Sequence, residues 1–211
     1  MDDGLGLPRG AFAKIDAEED ELFYEPPRLV CHIDDGAIAA LTGFYRIALP
    51  AGGILLDLMS SWVSHLPPEI EYAEVIGHGM NATELAANPR LTRWFVQNLN
   101  RDPHLPLADA AVDAVTVCVS IQYLEQPVAV LSELARVLRP GGPFVISFSN
   151  RCFWTKAVAI WRALDADGHA RLVELYLRHA GFERIETHKL AEWVEDFSDP
   201  MTAVVGRAPA V

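Results

Sequence analysis

An acidic residue at the end of an apolar run is the clearest candidate for chemistry in this chain. Ile54-Leu55-Leu56-Asp57-Leu58-Met59-Ser60-Ser61 passes from buried-strand residues through a carboxylate into a small-residue turn. In a series of strand–helix units, the first such turn is where an α/β protein holds a nucleoside-type cofactor. A glycine-rich sequence usually lets the backbone approach that ligand closely. Here Met59, Ser60 and Ser61 stand in place of the glycines. As a carboxylate at a strand end, Asp57 either fixes the loop for a ligand or simply caps the next turn.

A second stretch, Gly77-His78-Gly79-Met80-Asn81-Ala82, matches the Gly-x-Gly-x-x-Ala pattern of dinucleotide-binding turns. Taken alone it predicts an NAD(P)-dependent oxidoreductase. It follows the second strand rather than the first, and no Tyr-x-x-x-Lys follows it. Cys31, Cys118 and Cys152 are odd in number and far apart, which reads as reduced buried thiols. Neither they nor His65, His78, His104, His169, His179 and His188 show metal-ligand spacing, so no metal is expected. No serine sits in a nucleophile elbow.

The elements that must position these residues alternate along the chain. Residues 1–22 are rich in Gly, Pro and acids, and the start is expected to be flexible. Helical spacing of Ile38, Leu41, Tyr45 and Leu49 predicts a helix over 33–49, capped by Asp34 or Asp35 and ended by Pro50 with Gly52-Gly53. Strands follow at 54–58, 71–77, 94–98, 112–120 and 144–148. Between them the pattern predicts a brief helical piece before Pro67-Pro68 and helices over 82–87 and 127–138. Arg139-Pro140-Gly141-Gly142 is a strong breaker. A helix over 154–179, broken near 165–168 and closed by Gly181, precedes final strands at 182–189 and 203–207. This alternation implies a mostly parallel sheet with helices on both faces. No linker divides the 211 residues, so a single domain with an N-terminal helical extension over 1–50 is expected.

Composition bounds the partners. Hydrophobic residues make up 51%, enough for a packed core, and the net charge is −12. No basic excess offsets phosphate repulsion, which argues against nucleic acid and anionic membranes. Met1-Asp2-Asp3-Gly4 carries no apolar signal segment, and no run is long and apolar enough to span a bilayer. The expected compartment is the cytoplasm.

Four blocks in order carry a family resemblance. They are Ile54–Leu58 ending in Asp-Leu, Glu74-Val75-Ile76-Gly77, Leu105-Pro106 leading to Val112-Asp113-Ala114-Val115, and Glu133 through Arg139-Pro140-Gly141-Gly142. Together they resemble class I S-adenosylmethionine-dependent methyltransferases, nearest the type 11, small-molecule branch. The likeness covers about residues 53–150, and the rest by element order alone. It implies a Rossmann-like α/β fold with a seven-stranded sheet whose last strand is antiparallel. It also implies S-adenosylmethionine as cofactor and direct methyl transfer to a small-molecule acceptor.

The same resemblance assigns roles. The cofactor would meet Asp57, Leu58, Met59 and Ser60 on the first loop, whose backbone N–H groups remain available to it. The family's ribose-gripping acid falls at Gly79, beside Met80, with Asn81 as a neutral substitute. Asn98 would accept from the adenine amino group, with Leu99 and Asn100 beside the ring; the alternative is an Asx turn. Ser120 and Ile121 would lie beside the sulfonium. Tyr123 would lie there too, or in the core. Tyr24 and Arg28 would belong to an N-terminal lid, Arg28 pairing with the cofactor's carboxylate, or would be surface groups. Substrate-side candidates are His32, Tyr123 and Asn150, with Arg151, Phe153 and Trp154 nearby, and Trp161 is expected in the core. A methyltransferase-like domain that binds without turnover is the alternative to an enzyme.

Overall fold

The computed structural model of the chain describes residues 5–194 and 198–210. Seven strands, β1 (Ile54–Leu58), β2 (Glu74–Gly79), β3 (Arg93–Val96), β4 (Ala114–Cys118), β5 (Pro143–Phe148), β6 (Glu183–Ala191) and β7 (Met201–Arg207), form one sheet ordered β3-β2-β1-β4-β5-β7-β6. The first five are parallel, and β7 runs antiparallel to both β5 and β6. This is the doubly wound sheet with an antiparallel final strand that the resemblance implies.

Strand residues alternate between two cores because side chains point to opposite faces with period two. Leu56, Leu58, Val115, Val117, Phe144 and Ile146 join one cluster; Leu55, Ala114 and Val145 join the other. Leu131 and Leu134 of α4 (Pro127–Val137) and Val173 and Leu177 of α6 (Ala166–His179) cover the first face. The second is covered by α2 (Asp35–Ala48) through Ala37, Leu41 and Tyr45, spaced one helical turn apart. Each fully buried side chain of Leu or Phe size contributes about 1.5–3 kcal/mol. Asp34 caps α2, its side chain accepting the Ala37 N–H at 2.8 Å, and Pro127 opens α4 where its missing N–H costs nothing. Gly181, at φ +86°, turns the chain from α6 into β6.

Several elements differ from expectation. β2 begins at Glu74, three residues late, and runs on through Gly79. Gly77-His78-Gly79 is therefore strand and not a phosphate-binding turn, which removes the basis of the dinucleotide reading. Gly77 is glycine because a Cβ there would sit 2.3 Å from the Leu91 side chain. Among the described residues no helix forms between β1 and β2. After Trp154 the chain makes only a short α5 (Ala159–Arg162) before α6, and Trp161 is buried as expected.

The expectation of a flexible start falls partly on residues 1–4, which lie outside the described residues. The rest of that segment is anchored to the body of the protein at several points, although much of it is exposed. Leu5 and Ala11 are buried, and the Ala159 and Ile160 N–H groups donate to Ala13 and Ala11 carbonyls at 2.9 and 2.8 Å. The short α1 (Asp20–Tyr24) lies beyond it. Among the described residues no helix is long and apolar enough to cross a membrane.

Candidate functional site

Strand order reverses between β1 and β4, so the loops leaving their carboxyl ends diverge and open a crevice. A cavity of about 340 Å³ lies there, within the range of small-molecule sites. Its walls come from the loops after β1, β2, β3 and β4, from residues 151–153, and from the N-terminal segment.

The loop after β1 is held by internal contacts. Asp57 is buried and accepts from Ser60 Oγ at 2.5 Å and Thr116 Oγ1 at 3.0 Å. Burial raises its pKa, against the lowering effect of the hydroxyls of Ser60, Ser64 and Thr116. Met59 sits at φ +55°, a left-handed conformation that a residue with a Cβ adopts only at a cost of about 1–2 kcal/mol. Val119, leaving β4 on the other side of the crevice, sits at φ +49°. Both line the cavity, and such strain concentrates where surroundings fix an unusual geometry.

His78 supplies much of that fixing. Its Nδ1 accepts the Met59 N–H at 3.1 Å, and its carbonyl accepts the Ser60 N–H at 2.6 Å. The ring proton therefore sits on Nε2, facing the Gln97 carbonyl at 3.0 Å. Burial pushes this imidazole down to about 4, so it is neutral near pH 7. The expectation that the N–H groups of Met59 and Ser60 stay available to a ligand is corrected here: both point at β2.

This loop path also explains Gly79. A Cβ at that position would lie 2.5 Å from the Ser60 carbonyl oxygen and 3.2 Å from Leu85 Cδ2. No acid fits there while the loop holds this course. Asn81 does not present a free polar end in its stead. It caps α3 (Ala82–Ala87), its Oδ1 accepting from the Thr83 and Glu84 N–H groups. Its Nδ2 donates to the Tyr24 and Glu25 carbonyls at 2.9 Å each.

The strand-3 asparagines clasp the N-terminal segment. Asn98 forms an Asx turn, Oδ1 accepting the Asn100 N–H, and its Nδ2 donates to Glu21 Oε1 at 3.0 Å. Asn100 Nδ2 donates to Asp20 Oδ2 at 2.9 Å and to the Tyr123 carbonyl at 3.0 Å. Asp20 meets Lys14 at 2.8 Å and the wholly buried Lys156 at 3.4 Å. The neighbouring cations and amide hold its carboxyl below the usual range although burial, the largest influence, opposes them. Leu99 packs into the core and touches the cavity.

Phe153 is the hub of an aromatic wall. Its ring lies 5.2 Å from Phe23, 5.1 Å from His32 and 5.9 Å from Tyr123, whose hydroxyl accepts the Phe153 N–H. The Arg28 guanidinium lies over Phe23 and Phe153, 4.5 and 5.3 Å from their centroids, with no ion pair among the described residues. Burial lowers the His32 pKa and raises those of Tyr24 and Tyr123.

Of the residues singled out from sequence, the structure gathers Asp57, Met59, Ser60, Gly79, Met80, Asn81, Asn98, Leu99, Asn100, Ser120, Tyr123, Tyr24, Arg28 and His32 around this cavity. Three stand apart. Leu58 and Ile121 point into the core, and Asn150 is exposed, meeting Ser149 Oγ at 3.0 Å. Trp154 is also exposed rather than lining a pocket. Glu84 went unnoticed: its carboxylate accepts the Arg28 N–H at 2.7 Å and Ser61 Oγ at 2.6 Å. The signal was there, a glutamate three residues after the Asn81 helix cap. His78 was passed over for lack of any local pattern. Among the described residues, no group of three or more His, Cys, Asp or Glu is placed to hold a metal.

Comparison with known proteins finds a match between residues 67–146 and the family model described as a methyltransferase domain. The chain is 37% identical over 87 residues to malonyl-[acyl-carrier protein] O-methyltransferase of Methylococcus capsulatus, covering 38% of this chain and 32% of that protein. It is 30% identical over 112 residues to the ubiquinone/menaquinone biosynthesis C-methyltransferase UbiE of Rubrivivax gelatinosus, covering 41% and 45%. The chain thus spans less than half the length of these curated relatives. A solved S-adenosylmethionine-dependent methyltransferase from Thermotoga maritima superposes with a TM-score of 0.61 at 18% identity, covering 82% of this chain and 91% of that one. At that identity the superposition speaks to the fold.

Proposed function

We propose that this chain, which matches the methyltransferase-domain family model over residues 67–146 and resembles curated S-adenosylmethionine-dependent methyltransferases, is a class I methyltransferase of type 11 that catalyses methyl transfer to a small-molecule acceptor. The observation that carries the proposal is the cavity at the carboxyl ends of β1, β2 and β4, walled by aromatic side chains and a few polar groups. When bound, S-adenosylmethionine supplies an electrophilic methyl group on a sulfonium. The chain's residues suit that amphipathic cation. Leu99 offers an apolar surface beside Asn98, Tyr123 and Phe153 offer π faces to positive charge, and Arg28 offers a guanidinium to a carboxylate.

What the protein must do is align a nucleophile and exclude water. In this reading the N-terminal segment closes the cavity, tied down by Asp20, Lys14 and Lys156. Desolvation beside the aromatic wall lowers the His32 pKa, which favours the neutral imidazole. It stands edge-on to Phe153, ready to take a proton from a hydroxyl or ammonium acceptor. The net charge of −12 argues against a nucleic-acid acceptor and an anionic membrane. The cysteines are free, which suits a reducing, cytoplasmic setting, but they are not the buried thiols expected: Cys31 is exposed and Cys118 and Cys152 are half-buried.

The test is transfer of a labelled methyl group to the small-molecule fraction of a cell extract. Label appearing in a low-mass product supports the reading. A second reading, binding without turnover, is favoured by one observation: the Met59 and Ser60 N–H groups are spent on His78. Cofactor binding with no transfer to any acceptor selects it.

A further inference from the structure

Among the described residues, three that line the cavity carry a Cβ at positive φ: Met59, Val119 and His65. The first two shape the loops leaving β1 and β4. His65, at φ +52°, stands further along the first loop, between the buried residues Ser64 and Leu66. Asn88 Nδ2 donates to Ser64 Oγ at 2.8 Å, and the His65 carbonyl accepts from Thr42 Oγ1 of α2 at 2.9 Å. The backbone is thus held from both sides in a conformation that glycine adopts at no steric cost. Surroundings that fix such a geometry set the imidazole at the cavity wall.

The ring itself has no partner. Among the described residues it makes no hydrogen bond, ion pair or ring contact. The other two histidines of the cavity are engaged, His78 by the Met59 N–H and the Gln97 carbonyl and His32 by the Phe153 ring. Burial lowers the His65 pKa, and no charged group adds to or opposes it. The charged groups on the surrounding elements are matched elsewhere. Arg46 of α2 pairs with Glu69, and Asp34 bonds the Ala37 and Asp199 N–H groups. Asp57 bonds two hydroxyls, Glu84 bonds the Arg28 N–H and Ser61 Oγ, and Arg28 lies over Phe23 and Phe153. The imidazole therefore keeps its neutral form, with one ring nitrogen a free acceptor.

A half-buried imidazole with a free acceptor nitrogen matches a nucleophile that carries its proton at neutral pH. A thiolate or carboxylate needs no base, whereas a hydroxyl or ammonium gains from one. Resting on the methyltransferase reading, we propose that His65 is the general base of the reaction, and hence that the attacking atom of the acceptor is a hydroxyl oxygen or an amine nitrogen. The acceptor's proton passes to the imidazole. The electron pair freed on oxygen or nitrogen bonds the methyl carbon, and the carbon–sulfur bond breaks with its pair going to sulfur. The imidazolium then gives its proton to water. His32, the other imidazole able to take a proton, is exposed, whereas His65 is half-buried, where water is more readily excluded.

The experiment uses His65→Gly, because glycine occupies φ +52° without strain and so keeps the fold. Initial rates of labelled methyl transfer from S-adenosylmethionine to the small-molecule fraction of a cell extract are compared with and without added imidazole. The variant should lose about 100-fold or more of the rate, the usual contribution of general-base catalysis, and regain at least about tenfold with imidazole. Its affinity for S-adenosylhomocysteine in calorimetry should stay within about twofold of wild type. The wild-type rate should fall at acid pH, below the ordinary imidazole value of 6.5, as the ring protonates. A loss under about threefold would leave the proton to His32 and overturn the proposal. So would a parallel loss of S-adenosylhomocysteine affinity, the sign of a cofactor contact, or a loss that imidazole does not restore, the sign of a structural role. No transfer by wild type would instead overturn the methyltransferase reading beneath it.

Discussion

His78 Nδ1 accepts the Met59 N–H across 3.1 Å, so a buried imidazole in β2 holds the left-handed turn that ends β1. Removing the imidazole strands the Met59 N–H and leaves the Gln97 carbonyl without its donor. His78→Leu should therefore destabilise the protein by about 2–4 kcal/mol in urea unfolding. A loss below about 0.5 kcal/mol would mean the turn holds itself.

The same histidine makes stability pH-dependent. Its folded pKa, about 4, lies below the ordinary 6.5. Between those values the unfolded chain binds the proton and the folded one does not. The contribution is complete above pH 6.5 and is lost as pH falls toward 4, amounting to about 3 kcal/mol. The difference in unfolding free energy between wild type and His78→Gln should shrink over that window. A pH-independent difference would contradict the neutral buried imidazole.

Gly79 yields a counterintuitive result. Gly79→Asp supplies the acid that the family resemblance expects at the strand end, yet its Cβ would collide with the Ser60 carbonyl. Overpacking of this kind costs about 1–3 kcal/mol. The variant should be less stable and should bind S-adenosylhomocysteine more weakly than wild type. Tighter binding would show that the loop moves aside readily.

Asp57 anchors the loop from below through Ser60 and Thr116. Asp57→Ala should weaken cofactor binding at least about tenfold, the scale of one lost polar contact. Unchanged affinity in calorimetry would place the loop outside the site.

Asp20 joins the N-terminal segment to Lys14, Lys156 and Asn100. Asp20→Ala leaves two poorly exposed cations undercompensated. Amide hydrogen exchange should rise across residues 11–28 while the sheet stays protected. Equal exchange in both proteins would mean that other contacts hold the segment.

The fold was legible wherever local pattern and tertiary structure agree. The strand at 54–58 follows from an apolar run interrupted only by Asp57, and the helix at 82–87 from its local pattern. The start of β2 was misplaced because its register is set by pairing with β1, Ile54 opposite Glu74, which no local window contains. Gly77 and Gly79 read as turn residues, but the structure uses them for close approach to Leu91 and Ser60. The anchored start of the chain was equally hidden. Its anchors, Lys156 with Asp16 and Asp20, join residues far apart in sequence. At the site, residue types near the strand ends were readable, but which of their atoms remain free was not. That depended on bonds such as Asn98 to Glu21 and Met59 to His78.

Titration of the purified wild-type chain with S-adenosylmethionine and S-adenosylhomocysteine tests the central claim most directly. The account predicts saturable one-to-one binding of both, competing for one site, with dissociation constants no weaker than about 1 mM, the upper end for enzyme substrates. Absence of binding by either ligand at that concentration would contradict it.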